Sequence, residues 1–266
     1  MHKSVLLPEV IDSLKVRLGK VYLDCTLGSG GHSREIVEKG GRVYGLDVDP
    51  EALKRVESMN LITKQANFKD LKAVAYEWGL TEVGGILLDL GLSTEQIETD
   101  GRGFSWQTDG PLDMRADPSL KVTAADLING LGEGELVKLF KTYGEEPQAK
   151  SLAKAIVKAR PFKTTGELVQ AIEAIKYPVR RHHPATLVFQ ALRIAVNDEL
   201  NNLKAVLPQA VELLEPGGRL AVLSFHSLED RIVKNFMRDE SNLKIVLKKP
   251  VISDRPHAVL RVGEKL

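Results

Sequence analysis

The chain contains a single cysteine, Cys25, which excludes an internal disulfide and leaves too few thiolates for a zinc knuckle. Cys25 is expected in the core as a small apolar side chain. No run of about 20 apolar residues occurs, so no segment reads as a membrane-spanning helix. Strong charge of either sign is also missing. The 37 Lys and Arg offset 36 Asp and Glu, a formal net charge of +1, so any surface for nucleic acid must be a local patch. The first residues lack the shape of a signal peptide, and no repeat or low-complexity segment is present, so a cytoplasmic protein is expected. At 266 residues, with 43% apolar and 27% charged, the composition is that of a globular protein of one or two domains.

What is present is organised around the stretch from Val21 to His32. A short β-leaning run ends on a carboxylate, Asp24. Gly28, Gly30 and Gly31 follow, and a helix over Ser33–Lys39 comes next. Strand, glycine turn and helix are the parts from which an open α/β sheet builds a nucleotide pocket. A dinucleotide turn wants a third glycine three residues after Gly30, and Ser33 stands there instead. A carboxylate four residues before the first glycine is also a poor neighbour for a pyrophosphate. It suits a ligand with an ammonium group and a ribose, such as S-adenosylmethionine, better than a nicotinamide cofactor.

Two later strands repeat the pattern. Arg42–Asp47 ends on Asp47, 19 residues beyond Gly28, close to the spacing at which an acid meets a ribose. Asp49, just before Pro50, reads as a helix cap. The continuous apolar run from Gly85 to Asp89 reads as a strand buried on both faces, and it too ends on a carboxylate. Asp24, Asp47 and Asp89 would converge at the carboxyl edge of one sheet, where open α/β folds bind ligands. Ile62–Ala66 is expected as the third strand. Phe68 beyond it can pack on a purine or serve as a core aromatic.

After Ser93 the βα rhythm stops. Glu95 to Pro118 reads as an ordered loop pinned by Phe104, Trp106 and Met114, and helices follow one another from Thr123, the last expected from Pro184 to Leu203. Twelve Lys and Arg stand against seven Asp and Glu between Lys121 and Arg193, so the insertion is the basic part of a near-neutral chain. Arg160, Lys163, Lys176, Arg180, Arg181, His182 and His183 form its densest cluster, a footprint suited to phosphates. The adjacent histidines point apart, and no metal site is assigned. The sheet resumes at Arg219–Ser224, with Lys244–Lys248 and His257–Val262 as the last two strands. The Ser224/His226 pair lacks the Gly-x-Ser-x-Gly elbow of a hydrolase. The expected division is residues 1–100 and 195–266 as one discontinuous domain and 101–194 as an inserted helical domain.

These motifs resemble those of the ribosomal RNA small subunit methyltransferase H family, also called MraW. The likeness is carried by Asp24-x-Thr-x-Gly-x-Gly-Gly-His32, Gly45-Leu-Asp-x-Asp-Pro50, Leu88-Asp-Leu-Gly91, Asp109-Gly-Pro-Leu-Asp-Met-Arg115, the run beginning His183-Pro-Ala-Thr, and Ser224-Phe-His-Ser-Leu-Glu-Asp-Arg231. The resemblance implies a class I, Rossmann-like S-adenosylmethionine-dependent methyltransferase sheet with an inserted all-helical domain. It implies methylation of the exocyclic N4 of a cytidine in the decoding region of 16S ribosomal RNA, within a small-subunit particle, by a protein that can form a homodimer. It implies cofactor contacts at Gly30, Gly31, His32, Asp47, Phe68, Asp89 and Gln96, with Asp89 the candidate catalytic residue. Other readings are methylation of another RNA or DNA amino group, or a non-catalytic RNA-binding ribosome assembly factor. The chain departs from the family at Ser29, and in the short Ser253-to-Ala258 stretch where members carry a longer basic segment.

Overall fold

The structure, a computed structural model, describes residues 4–59, 61–92, 96, 101–175, 183–254 and 257–266. Lys176, Arg180, Arg181 and His182 of the basic cluster lie outside the described residues. The chain divides into two compact units, residues 1–91 with 200–266, and residues 92–199. Among the described residues no helix is long and apolar enough to cross a membrane.

The first unit is built on a sheet of eight strands: β1 (Val21–Asp24), β2 (Arg42–Asp47), β3 (Ile62–Gln65), β4 (Val83–Asp89), β5 (Leu214–Ser224), β6 (Leu243–Ile245), β7 (Val251–Asp254) and β8 (His257–Lys265). Their order is β3-β2-β1-β4-β5-β8-β6, with β7 also pairing β8. β1 to β5 are parallel, whereas β8 runs antiparallel to β5. This reversed strand beside five parallel ones is the sheet of class I methyltransferases, the fold class expected from the resemblance. The order reverses between β1 and β4, and such a switch point opens a crevice at the carboxyl ends of the strands.

Alternation along the strands fills two cores. Leu23, Leu46, Ile86, Leu88, Leu220 and Val222 face one side, against Val74 of α4 (Leu71–Glu77), Leu207 of α10 (Glu199–Leu213) and Val233 of α11 (Ser227–Asp239). Tyr22, Val43, Leu87, Ala221 and Leu223 face the other side, against Val10 and Leu14 of α1 (Leu7–Leu14) and Ile36 of α2 (Gly31–Glu38). With both faces covered, β4 is buried along six of its seven residues, which accounts for its unbroken apolar sequence. Cys25 is buried as expected.

The second unit carries α5 (Ala124–Gly130), α6 (Glu133–Gly144), α7 (Ala149–Ala159), α8 (Thr165–Glu173) and α9 (Pro184–Asn197). Phe140, Leu152, Ile156, Leu168, Val188 and Leu192 fill its core, together with Phe104 and Met114 from the preceding loop. That loop is tied down by polar contacts. The Arg102 guanidinium donates to the carbonyls of Arg115 and Ala116, and Asn197 accepts from the Ala116 amide and donates to the Met114 carbonyl.

Two expectations are corrected. The helix expected over Pro184–Leu203 is two helices, α9 and α10, broken at Asp198, which adopts a left-handed conformation with φ 50°. Aspartate tolerates that region better than most residues, and Arg193 clamps the turn with two hydrogen bonds to Glu199, at 2.8 and 2.9 Å. The apolar period of Val188, Leu192, Val196 and Leu200 runs straight through the break and conceals it. Three strands rather than two close the chain, because β7 is short and carries polar residues that give it no apolar signature.

Thr123 caps α5 reciprocally. Its hydroxyl accepts from the Asp126 amide at 3.1 Å, and the Asp126 carboxylate accepts from the Thr123 amide at 2.9 Å. Thr123→Ala should cost about 1 kcal/mol, read as a lower midpoint in chemical denaturation with an unchanged m-value. An unchanged midpoint would show that the cap contributes nothing.

Candidate cofactor and catalytic site

The terminal residues of β1, β2 and β4 are Asp24, Asp47 and Asp89, so all three carboxylates stand at the crevice edge of the sheet. The glycine turn that leaves β1 hangs between the two neighbouring strands. On one side Leu27 N–H donates to the Leu46 carbonyl at 3.2 Å, and Gly28 N–H to Asp47 Oδ2 at 2.9 Å. On the other, the Asp89 amide donates to Thr26 Oγ1 at 2.6 Å. The turn itself needs glycine. Gly30 sits at φ 73°, and a Cβ there would fall 2.6 Å from Val56 Cγ1. At Gly31 a Cβ would meet Ser4 Oγ at 2.0 Å. α2 then starts without a side-chain cap.

The three carboxylates do different work. Asp24 is only 2% exposed, with Oδ2 accepting from Ser33 Oγ at 2.6 Å and Oδ1 from the Thr26 amide at 3.2 Å. Burial raises its pKa, and those two donors hold it back. The sequence suggested Asp24 as a partner for a ligand ammonium. In the structure its oxygens fasten the turn to the first turn of α2.

Asp47 accepts from the amides of Gly28 and Asp49, both at 2.9 Å. Burial pushes its pKa up to about 6, against the pull of those two amides, with Asp49 and Asp24 adding repulsion. Asp49 caps α3 (Pro50–Arg55), accepting from Glu51 N–H at 3.1 Å.

Asp89 is the least satisfied of the three. Among the described residues its buried Oδ1 has no hydrogen-bond partner, although a quarter of the side-chain surface remains exposed. Burial pushes its pKa up to about 8, and the nearby charges of Asp24 and Glu229 raise it further. Beside it lies His32, buried at 5% exposure, with Nε2 3.1 Å from the Val5 carbonyl and Nδ1 3.4 Å from Asp89 Oδ2. Burial pulls the His32 pKa down to about 4, so the ring is neutral near pH 7.

Phe68 opens a short 3₁₀ turn (Phe68–Asp70) after β3 and is half-buried against the sheet core, which leaves part of its ring exposed. Gln96 is buried and belongs to the second unit. Of the aromatics considered for a substrate base, Phe104 is buried in the second unit's core, and Trp106 stacks on His183 with ring centroids 4.0 Å apart. Phe225 is half-buried and lies against Gly91, just past β4; a Cβ on Gly91 would be 3.3 Å from its ring. His183 is also held by Glu173, at 2.9 Å. Sequence reasoning passed over Glu229, which is 3% exposed and accepts from the amides of Phe225 and His226 in a capping box that starts α11. The three-residue His226–Glu229 spacing was its signal, masked because histidine is an uncommon cap.

These residues fit a cofactor that carries a ribose and a positive centre. Asp47 offers acceptor oxygens at a strand end, Gly30 and Gly31 leave no side chain in the turn, and a buried unpartnered acceptor such as Asp89 Oδ1 costs about 1–3 kcal/mol until something satisfies it.

The comparisons agree. A family model described as the MraW methylase family matches residues 1–265, and the chain belongs to that family. A ribosomal RNA small subunit methyltransferase H from Carboxydothermus hydrogenoformans is 46% identical over 304 aligned positions, covering all of this chain and 98% of that protein. Its counterpart from Heliobacterium modesticaldum is 45% identical, with the same coverage of both chains. Among solved structures, an rRNA methylase from Streptococcus thermophilus is similar in fold, with TM-score 0.50 and 11% identity, over 100% of this chain and 99% of that one. The methyl donor of this family and fold is S-adenosylmethionine.

The raised pKa of Asp89 has a sign. An ordinary aspartate titrates near 3.8, whereas folded Asp89 keeps its proton to about pH 8. The ligand-free fold therefore loses stability as pH climbs through that window, and the loss is complete above it. Asp89→Asn should raise the melting temperature above pH 8 by roughly 1 kcal/mol, or about 2–4 °C, and change it little near pH 4. Equal shifts at both pH values would refute a buried-charge origin.

Proposed function

From that family membership we propose that the chain methylates small-subunit ribosomal RNA in the cytoplasm, at the exocyclic N4 of a cytidine in the decoding region of 16S RNA, with a small-subunit particle as substrate. The observation that carries this reading is the buried, unpartnered Asp89 Oδ1 at the end of β4, next to a glycine turn hung from Asp47 and Thr26.

When bound, the cofactor supplies an electrophilic methyl group on a positively charged sulfur. The residues of the chain do the rest. Gly30 and Gly31 let the backbone approach it closely, Asp47 receives ribose hydroxyls, and Phe68 lies beside the adenine. A cytosine amino nitrogen is a poor nucleophile because its lone pair is delocalised into the ring. Ionised Asp89 draws on an amino hydrogen, localises that lone pair on nitrogen, and takes the proton as the N–C bond forms. The target base leaves its stack to reach the pocket, and Phe225 beside Gly91 gives it an apolar face to rest on. The basic cluster of the inserted unit, including Arg160 and Lys163, supplies phosphate contacts that position the RNA without reading its sequence.

A labelled-methyl assay on small-subunit particles that lack the modification, followed by nucleoside analysis, tests this directly. N4-methylcytidine is expected. Label in another nucleoside would overturn the target, and no transfer to particles or to free ribosomal RNA would overturn the activity. Asp89→Ala should lower kcat by about 10²- to 10⁴-fold while leaving affinity for S-adenosylhomocysteine, which lacks the sulfur charge, within a few-fold. Asp47→Ala should instead weaken cofactor binding, by about 10- to 100-fold in Kd. The reverse pattern would exchange the two roles.

A further inference from the structure

His32 and Asp89 form a pair whose hydrogens can be assigned from geometry. His32 Nε2 lies 3.1 Å from the carbonyl oxygen of Val5. A carbonyl only accepts, so Nε2 carries the hydrogen. A neutral ring then presents Nδ1 as a bare lone pair, and Nδ1 faces Asp89 Oδ2 at 3.4 Å. Two acceptors facing each other repel unless one holds a proton. A doubly protonated imidazolium is disfavoured at 5% exposure, so the proton belongs on Asp89. Among the described residues, the ionisable groups that bear on Asp89 besides His32 are Asp24 from β1 and Glu229 from α11, both acids. The push of His32 burial to a pKa of about 4, and of Asp89 to about 8, agrees with this assignment.

We propose that His32 is a positioning residue that holds Asp89 as a neutral acid in the free protein, so that Asp89 gives up its proton when a positively charged methyl donor occupies the pocket and takes one back on transfer. This deepens, and rests on, the cofactor reading above. The transfer balances. The amino nitrogen forms a bond to the methyl carbon, the carbon–sulfur bond breaks with its electron pair left on sulfur, and the amino proton passes to the Asp89 carboxylate. The resulting acid again faces the His32 lone pair. Before transfer the pocket holds a cationic sulfur and an anionic Asp89; afterwards both are neutral. The low-dielectric edge of the sheet carries no net change of charge through the step, which is where such a change would cost most. The product state has the same protonation as the free protein, so the spent cofactor leaves without waiting for a proton to move.

S-adenosylmethionine and S-adenosylhomocysteine share ribose, adenine, ammonium and carboxylate groups and differ at the sulfur charge. Comparing them isolates the pair. Calorimetric titrations of the intact protein near pH 7, in buffers of different ionisation enthalpy, count protons released on binding. Close to one proton is expected with S-adenosylmethionine and less than about a third of one with S-adenosylhomocysteine, the difference vanishing near pH 9.5, where Asp89 is already ionised. His32→Gln keeps a donor for the Val5 carbonyl and removes the acceptor facing Asp89. It should reduce the release near pH 7 at least about twofold and move the rise of cofactor affinity with pH downward by about one unit. His32→Asn restores a neutral polar group at the Nδ1 position and should return part of the release. Asp89→Asn should release no proton with either ligand. Equal release by both ligands, or unchanged release in His32→Gln, overturns the pair and leaves the cofactor reading standing. Heat with neither ligand overturns the cofactor reading itself.

Discussion

The site depends on a turn that has almost no side chains of its own and so cannot hold its own shape. Its anchors are hydrogen bonds to the two strands beside β1: Gly28 N–H to Asp47 Oδ2 on β2, and the Asp89 amide of β4 to Thr26 Oγ1. Each bond uses an atom at the last position of a strand, so the turn stays in place only while three parallel strands end in register. Asp24 adds a third tie, through Ser33, that sets where α2 begins. Gly30 and Gly31 then have room to be bare because Val56 and Ser4 close the space behind them.

The same arrangement crowds carboxylates. Asp24, Asp47 and Asp89 sit at one sheet edge, burial raises all three, the charge of Asp24 raises the other two further, and the protein answers in three ways. Asp24 is held by two donors, Asp47 is partly offset by two amides, and Asp89, among the described residues, faces a histidine lone pair. A carboxyl left without donors is a cost to the empty fold and a reserve of attraction for a cation. Perturbed groups of this kind gather where function needs them.

Much of this was legible in the sequence. The strand-terminal aspartates, the glycine turn, the helix cap at Asp49 and the doubly buried β4 all follow from local pattern, because period-two burial and cap chemistry act over a few residues. What could not be read depends on contacts distant in the chain. The left-handed break at Asp198 lies under an uninterrupted apolar period and is held by an Arg193–Glu199 pair. The ties from Ser33 and Thr26 to Asp24 depend on how the turn folds back on its strand. The facing of His32 and Asp89 joins residues 57 positions apart, and Phe68 carried two readings because both a purine and a core accept an aromatic ring.

Arg219, near the start of the parallel run of β5, donates to the Ser13 carbonyl of α1 at 2.7 Å across 206 residues, and Val10 and Leu14 pack with Ala221 and Leu223 of β5. α1 is therefore synthesised long before the strand that completes its packing. The inserted helices pack through contacts close in sequence and can form while the remainder is still emerging, whereas the split sheet must wait for β5 and β8. Val5, which sets the tautomer of His32, belongs to the segment that leads into α1. The histidine orientation thus rests on a segment whose packing is completed by a strand from the far end of the chain.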